Sequence, residues 1–82
     1  MKLVVMLVLS VGLLFGMVDI NKAGVKELTT LKGIGKAKAV KIVEYRKING
    51  CFNDAMELTK VKGIGKGIVK KNHSEIKVSA CK

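Results

Sequence analysis

Histidine, cysteine and aromatic residues are scarce in this 82-residue chain, and acidic ones are few. The single histidine, His73, leaves no His-cluster metal site. The two cysteines, Cys51 and Cys81, have 29 residues between them, a spacing that matches no zinc-ligand pattern. One Tyr, two Phe and no Trp supply no aromatic stripe interleaved with lysines, which base-stacking recognition of single strands would need. The six carboxylates have no paired or metal-binding spacing, and a chain this short encloses too little interior for a large buried active site. These absences point away from an enzyme, a metal or a cofactor, and towards one small binding domain.

What the sequence does hold is positive charge and one apolar run. Sixteen Lys and Arg face six Asp and Glu, a formal net charge of +10. From Leu3 to Val18, 13 of 16 residues are apolar and none is charged; from Asp19 onward 26 of 64 are apolar and the net charge is +9. Lys2 followed by the Leu3–Val18 run has the order of the n- and h-regions of a secretory signal. The run is shorter than the about 20 residues of a membrane helix and contains Gly12 and Gly16. No A-x-A-like pair closes it, and cutting after Gly16 would put Leu14 at the −3 position. Residues 1–18 are therefore expected to be a signal peptide or a short N-terminal membrane anchor, with 19–82 as the domain. Lysines 22, 26, 32 and 36 would sit on the wrong side of an anchor by the positive-inside rule. Under either reading the basic domain is exported, to the periplasm or the outer face of the cytoplasmic membrane, and meets a membrane only through an uncleaved leader; the competing reading of the run is a buried N-terminal helix. In that compartment Cys51 and Cys81 have three fates: one intramolecular disulfide, two separate thiols, or a bridge between two chains through Cys81. An unstrained intramolecular bridge of that loop length is worth about 3 kcal/mol in the chain-entropy model.

The most informative feature is a repeat. Residues 27–36 read ELTTLKGIGK and residues 57–66 read ELTKVKGIGK, identical at eight of ten positions with an offset of 30. Such self-similarity means two copies of one supersecondary unit, neither able to bury its apolar face alone. In each copy an apolar-spaced segment (Val25, Leu28, Leu31; then Ala55, Leu58, Val61) leads into K-G-I-G-K and then a second helix. The first such helix is expected from Lys36 to about Lys47. There Ile42, Ala39, Val43 and Val40 fall within an arc of about 160°, opposite Lys38, Lys41 and Tyr45. Gly50 stops it, and Asn53 or Asp54 caps the next helix. The second closing helix is expected from Lys66 to about Ser74, weakened by about 1 kcal/mol through Gly67. Ile76 and Val78 return over the core. The expected fold is all-α: four short helices with pseudo-two-fold symmetry around Leu28, Leu31, Ile34, Val40, Val43, Phe52, Leu58, Val61, Ile64 and Val69.

The paired G-I-G turns carry the chemistry. Gly33 and Gly35 flank Ile34, as Gly63 and Gly65 flank Ile64. Glycine permits a sharp turn and leaves no Cβ in the way of a ligand, while the isoleucine anchors in the core. Each turn enters a helix N-terminus, where free N–H groups suit a phosphate oxygen. Lys36 and Lys66 follow the turns, Lys32 and Lys62 precede them, and Lys38 and Lys70 add supporting charge further along each helix. A lone G-I-G would read as a tight connector; two copies with four flanking lysines on a +9 domain read as twin anion cradles for repeated phosphates. Neither a Walker-type loop nor a dinucleotide G-x-G-x-x-G is present, since Lys38 and Ile68 occupy the last glycine position.

Taken in order, D-I-N-K-A (19–23), L-K-G-I-G-K-A-K-A (31–39), V-E-Y-R (43–46), N-G-C-F (49–52), V-K-G-I-G-K (61–66) and K-N-H-S-E-I (71–76) resemble the tandem helix-hairpin-helix domain of ComEA-type proteins, the exported DNA receptors of natural transformation. The resemblance covers nearly all of the chain beyond the leader. It implies double-stranded DNA as partner, bound without sequence preference, and a place beside the DNA-uptake machinery. Carried over by position, the phosphate sites are Gly33, Ile34, Gly35 and Lys36, then Gly63, Ile64, Gly65 and Lys66. The chain departs from the family where Lys32 and Cys51 replace prolines often found there and where His73 replaces a frequent Arg; Asn72 reads as structural. The same fold also serves as a protein-docking subunit, as in a photosystem extrinsic protein that this chain is similar to, so an acidic protein or anionic surface is the competing partner.

Overall fold

Each copy of the repeat folds as a short helix, a glycine turn and a second helix. The structure is a computed structural model and describes residues 17–80; the expected leader (up to Gly16) and Cys81 lie outside them. The first unit contains α1 (Val25–Leu28) and α2 (Lys36–Asn49). In the second, a 3₁₀ helix over Ala55–Lys60 precedes α3 (Lys66–Lys71), and a 3₁₀ turn over His73–Glu75 follows. This is the expected all-α arrangement of four short helices, the third of them wound as 3₁₀. A two-residue strand β1 (Val18–Asp19) pairs in parallel with β2 (Ile76–Lys77), which joins the two ends of the domain. Val18, the last residue of the apolar run, is buried there. Among the described residues no helix is long and apolar enough to cross a membrane.

Local sequence explains the element ends. Thr29 and Thr30 turn their hydroxyls back onto the carbonyls of Lys26 and Glu27 (2.6 and 2.7 Å), closing α1 after a single turn. Thr59 does the same to Met56 at the equivalent place of the second copy (2.8 Å). Asp54 caps the 3₁₀ helix by accepting from the Glu57 amide at 3.1 Å, and the Glu57 carboxylate accepts from the Asn53 amide at 2.8 Å. That reciprocal pair is of the capping-box kind. Gly50 ends α2 with φ of 95°. The closing helix α3 stops at Lys71, short of the expected Ser74, because Asn72 leaves the helical region (φ −106°, ψ 8°) and turns its side chain across the domain.

The core holds Leu28, Leu31, Ile34, Phe52, Leu58, Val61, Ile64 and Val69 as expected, together with Ile20, Ala23, Ala39, Ile42 and Ile76. Val40 and Val43 do not reach it fully: Ala39 and Ile42 point inward and the two valines stay half-buried. Tyr45 is not on a solvated face either. Its ring stacks on Phe52 with centroids 5.5 Å apart, so the buried stripe of α2 is wider than the aliphatic residues alone define.

One asparagine organises the junction of the ends. The Asn21 side chain donates to the carbonyls of Phe52 and Ser79 (2.9 Å each) and accepts from the Phe52 amide (2.7 Å). It thereby ties together three segments distant in sequence. Arg46, at the end of α2, donates to the Ile20 carbonyl at 3.0 Å. Cys51, beside Phe52, is half-buried and disulfide-bonded. Asp19 Oδ1 accepts from the Asn21 amide (3.0 Å) and from the Ser79 amide and hydroxyl (3.3 and 3.2 Å).

Partial burial of Asp19 raises its pKa, but the hydrogen bonds from Asn21 and Ser79 and the nearby Lys22 charge outweigh this and hold it below the ordinary 3.8. A depressed carboxylate stabilises the fold above its unfolded value and loses that contribution as pH falls through the folded value. Thermal melts of wild type and Asp19→Asn should therefore differ fully at pH 5–7. The gap should close as pH falls below about 3.8, the value of an unperturbed aspartate.

Candidate functional site

The two G-I-G turns share one geometry. Gly33 and Gly63 have φ of 80° and 95°, left-handed values that a side chain would strain. Gly35 and Gly65 are extended (φ −88° and −99°) and stand immediately before α2 and α3. Ile34 and Ile64 drop into the core between them, and their amides bond back to Leu31 and Val61 (3.2 and 3.1 Å). The isoleucines therefore anchor the turns as expected; being buried, they offer a ligand backbone rather than side chain.

Around each anchor the backbone is left with spare donors. Among the described residues, the amides of Gly33, Gly35, Lys36 and Ala37 have no acceptor within the fold, and neither do those of Gly63, Gly65, Lys66 and Gly67. All eight residues are exposed. Lys32, Lys36, Lys62 and Lys66 are exposed on either side of the turns. Among the described residues one ion pair closer than 4 Å forms, Lys60 to Glu57 at 3.9 Å on the surface, so these lysines have no carboxylate neutralising them.

The turns also lie next to one another's helices. A side chain on Gly33 would meet Ile68 Cγ1 of α3 at 3.4 Å, and one on Gly63 would meet Lys38 Cε of α2 at 3.5 Å. Lys38 and Ile68 are themselves equivalent under the 30-residue offset. The contacts are thus reciprocal: each turn packs on the opening helix turn of the other unit. Asn72 adds a second tie. Fully buried, it accepts from the Lys32 amide (2.8 Å) and donates to the Lys32 and Ile68 carbonyls (2.9 Å each), fixing the first turn onto the end of α3. Its reading as a structural residue agrees with this placement.

This double turn, with paired glycines, buried isoleucines and exposed amides, is what the motif is built from. The family described as "Helix-hairpin-helix motif" matches residues 15–77. The chain belongs to the helix-hairpin-helix family. No curated protein matches the chain. Within this family member, the structure brings together Lys32, Gly33, Ile34, Gly35 and Lys36 of the first hairpin with Lys62, Gly63, Ile64, Gly65 and Lys66 of the second. Lys70, in α3, lines a hollow with Asp54, Met56 and His73. Lys38 belongs with the hairpin residues, though on the side of the second hairpin. No group of three or more His, Cys, Asp or Glu among the described residues is placed to hold a metal. The groups on offer are amides and ammoniums, which bind anions.

Sequence reasoning missed Asn21, Arg46 and the reciprocal Gly33–Ile68 and Gly63–Lys38 contacts. The identical offset of Lys38 and Ile68 from their glycines was the available signal for the last.

Space separates the roles of the glycines. Nothing lies within 4 Å of a Cβ at Gly35 or Gly65, whereas Gly33 and Gly63 combine positive φ with a close neighbour. Gly33→Ala and Gly63→Ala should each cost about 1–2 kcal/mol in urea denaturation. Gly35→Asn and Gly65→Asn, at N-cap positions where Asn is at least as good as Gly, should leave stability within about 0.5 kcal/mol.

Proposed function

We propose that this chain binds double-stranded DNA without sequence preference, holding phosphates in its two hairpins, and that it is a ComEA-like receptor in DNA uptake. The observation that carries this reading is the pair of side-by-side glycine turns with unsatisfied amides and unpaired lysines. The folded unit needs no glycine at 35 or 65 for its own packing, so their missing side chains serve an approaching partner. A phosphate oxygen fits N–H groups that have no internal acceptor, and α2, of 14 residues, adds the positive end of its dipole at the first hairpin. The repeat of the cradle suits a polymer with repeated charges. Backbone donors and lysines read phosphates and not base edges, so affinity without sequence preference follows.

Export is part of this proposal, supported by the Leu3–Val18 pattern. Cys81 is the partner we assign to Cys51. Their bridge would fasten the C-terminal tail that Asn21 and Asp19 already hold through Ser79. The ComEA-like role is supported by the ordered motif series from D-I-N-K-A to K-N-H-S-E-I.

Gel shifts of the protein on unrelated duplexes over a salt series test the reading. With about four phosphate contacts, log K should fall against log salt with a slope of roughly −3 to −4, alike for every duplex. Gly35→Asn/Gly65→Asn should lose far more affinity than replacement of two lysines outside the hairpins, such as Lys47→Met/Lys77→Met. Equal losses would mean that bulk charge binds the DNA. Tighter binding to anionic vesicles than to duplex would assign the surface to a docking role instead.

A further inference from the structure

The reciprocal packing of the hairpins is symmetric in position and unsymmetric in chemistry. Over the first hairpin lies Ile68, whose Cγ1 and Cδ1 are 3.4 and 3.6 Å from the place a Cβ on Gly33 would take. Over the second lies Lys38, with Cε and Cγ at 3.5 and 3.8 Å from the equivalent place on Gly63. Lys38 is half-buried while Lys36 and Lys41 on the same helix are exposed. Its stem therefore covers Gly63, as long basic side chains cover apolar surface while the head stays in water. The ammonium is one bond beyond Cε and has no carboxylate within 4 Å among the described residues. It is held at the second hairpin although its backbone belongs to the helix that follows the first.

We propose that Lys38 is a phosphate ligand of the second hairpin, contributed across the domain, and that it makes the two hairpins unequal. The second hairpin then meets a phosphodiester with Lys62, Lys66 and Lys38. The first meets one with Lys32 and Lys36 beneath an apolar cover. The inequality extends to the backbone: Asn72 occupies the Lys32 amide, whereas the equivalent Lys62 amide has no acceptor among the described residues. The first hairpin is the more tightly fixed and the second the more strongly charged. The proposal rests on the DNA-binding reading above and assigns, within it, which hairpin dominates the salt-dependent affinity.

Fluorescence anisotropy of the full chain on a labelled short duplex, repeated over a salt series, tests it with three variants. Lys38→Met keeps the stem over Gly63 and removes only the charge. Ile68→Lys supplies the missing cation to the first hairpin. Lys47→Met, nine residues beyond Lys38 in the last turn of α2, removes an equal charge outside both turns. Loss of one phosphate contact lowers the magnitude of the log–log salt slope by about 0.9. Lys38→Met should show that loss, Ile68→Lys a gain of similar size, and Lys47→Met little change. The double variant Lys38→Met/Ile68→Lys should return to the wild-type slope. If wild type binds duplex but Lys38→Met behaves like Lys47→Met, the stem is only a cover for Gly63 and the assignment of Lys38 is overturned. If wild type does not bind duplex at low salt, the DNA-binding reading itself falls, and this proposal with it.

Discussion

Everything in this small domain turns on the way each hairpin lies against the other unit. Gly33 packs on Ile68 and Gly63 on Lys38, so neither turn is completed by residues of its own copy. A side chain at either glycine would meet the neighbour in ordinary van der Waals contact but would need left-handed backbone, which is why both copies keep glycine there. The consequence is a fixed relation between two sets of exposed amides. A pair of hairpins on a flexible linker would have to be ordered on binding; here the ordering is already made by the core.

Buried polar groups hold that relation in place. Asn72 reaches from the end of α3 to the backbone of Lys32, and Asn21 clamps Phe52 and Ser79 from the opposite end of the domain. Each reaches backbone groups more than 30 residues away, so each specifies one arrangement of segments where apolar contacts alone would tolerate several. No buried side-chain polar atom among the described residues lacks a partner. For a domain with a core of few large side chains, such clamps and the short parallel pairing of Val18 with Ile76 stand in for interior volume that the chain does not have.

Much of this was legible in the sequence because it is local or repeated. The 30-residue repeat located both hairpins, the two isoleucine anchors and most of the core, and Gly50 and Asp54 marked the helix boundaries they form. What the sequence did not disclose is set by tertiary contacts. Helical periodicity placed Val40, Val43, Ala39 and Ile42 in one arc but could not say where within it the core lay. Tyr45 looked solvated by periodicity and is drawn in by Phe52, a neighbour only across the turn. Lys38 crosses to a hairpin that is 25 residues further along the chain. Asn21 was an ordinary polar letter until its distant partners Phe52 and Ser79 were in place.

The central claim is that the two hairpins act as one surface on one polyanion. Backbone amide shifts of isotopically labelled protein, followed while a short duplex is added, address it most directly. The amides of Gly33, Gly35 and Lys36 and those of Gly63, Gly65 and Lys66 should shift together along a single binding curve, with α2 beyond its first turns unmoved. Shifts confined to one hairpin, or spread over the lysines of the whole surface with the glycine amides silent, would contradict the claim.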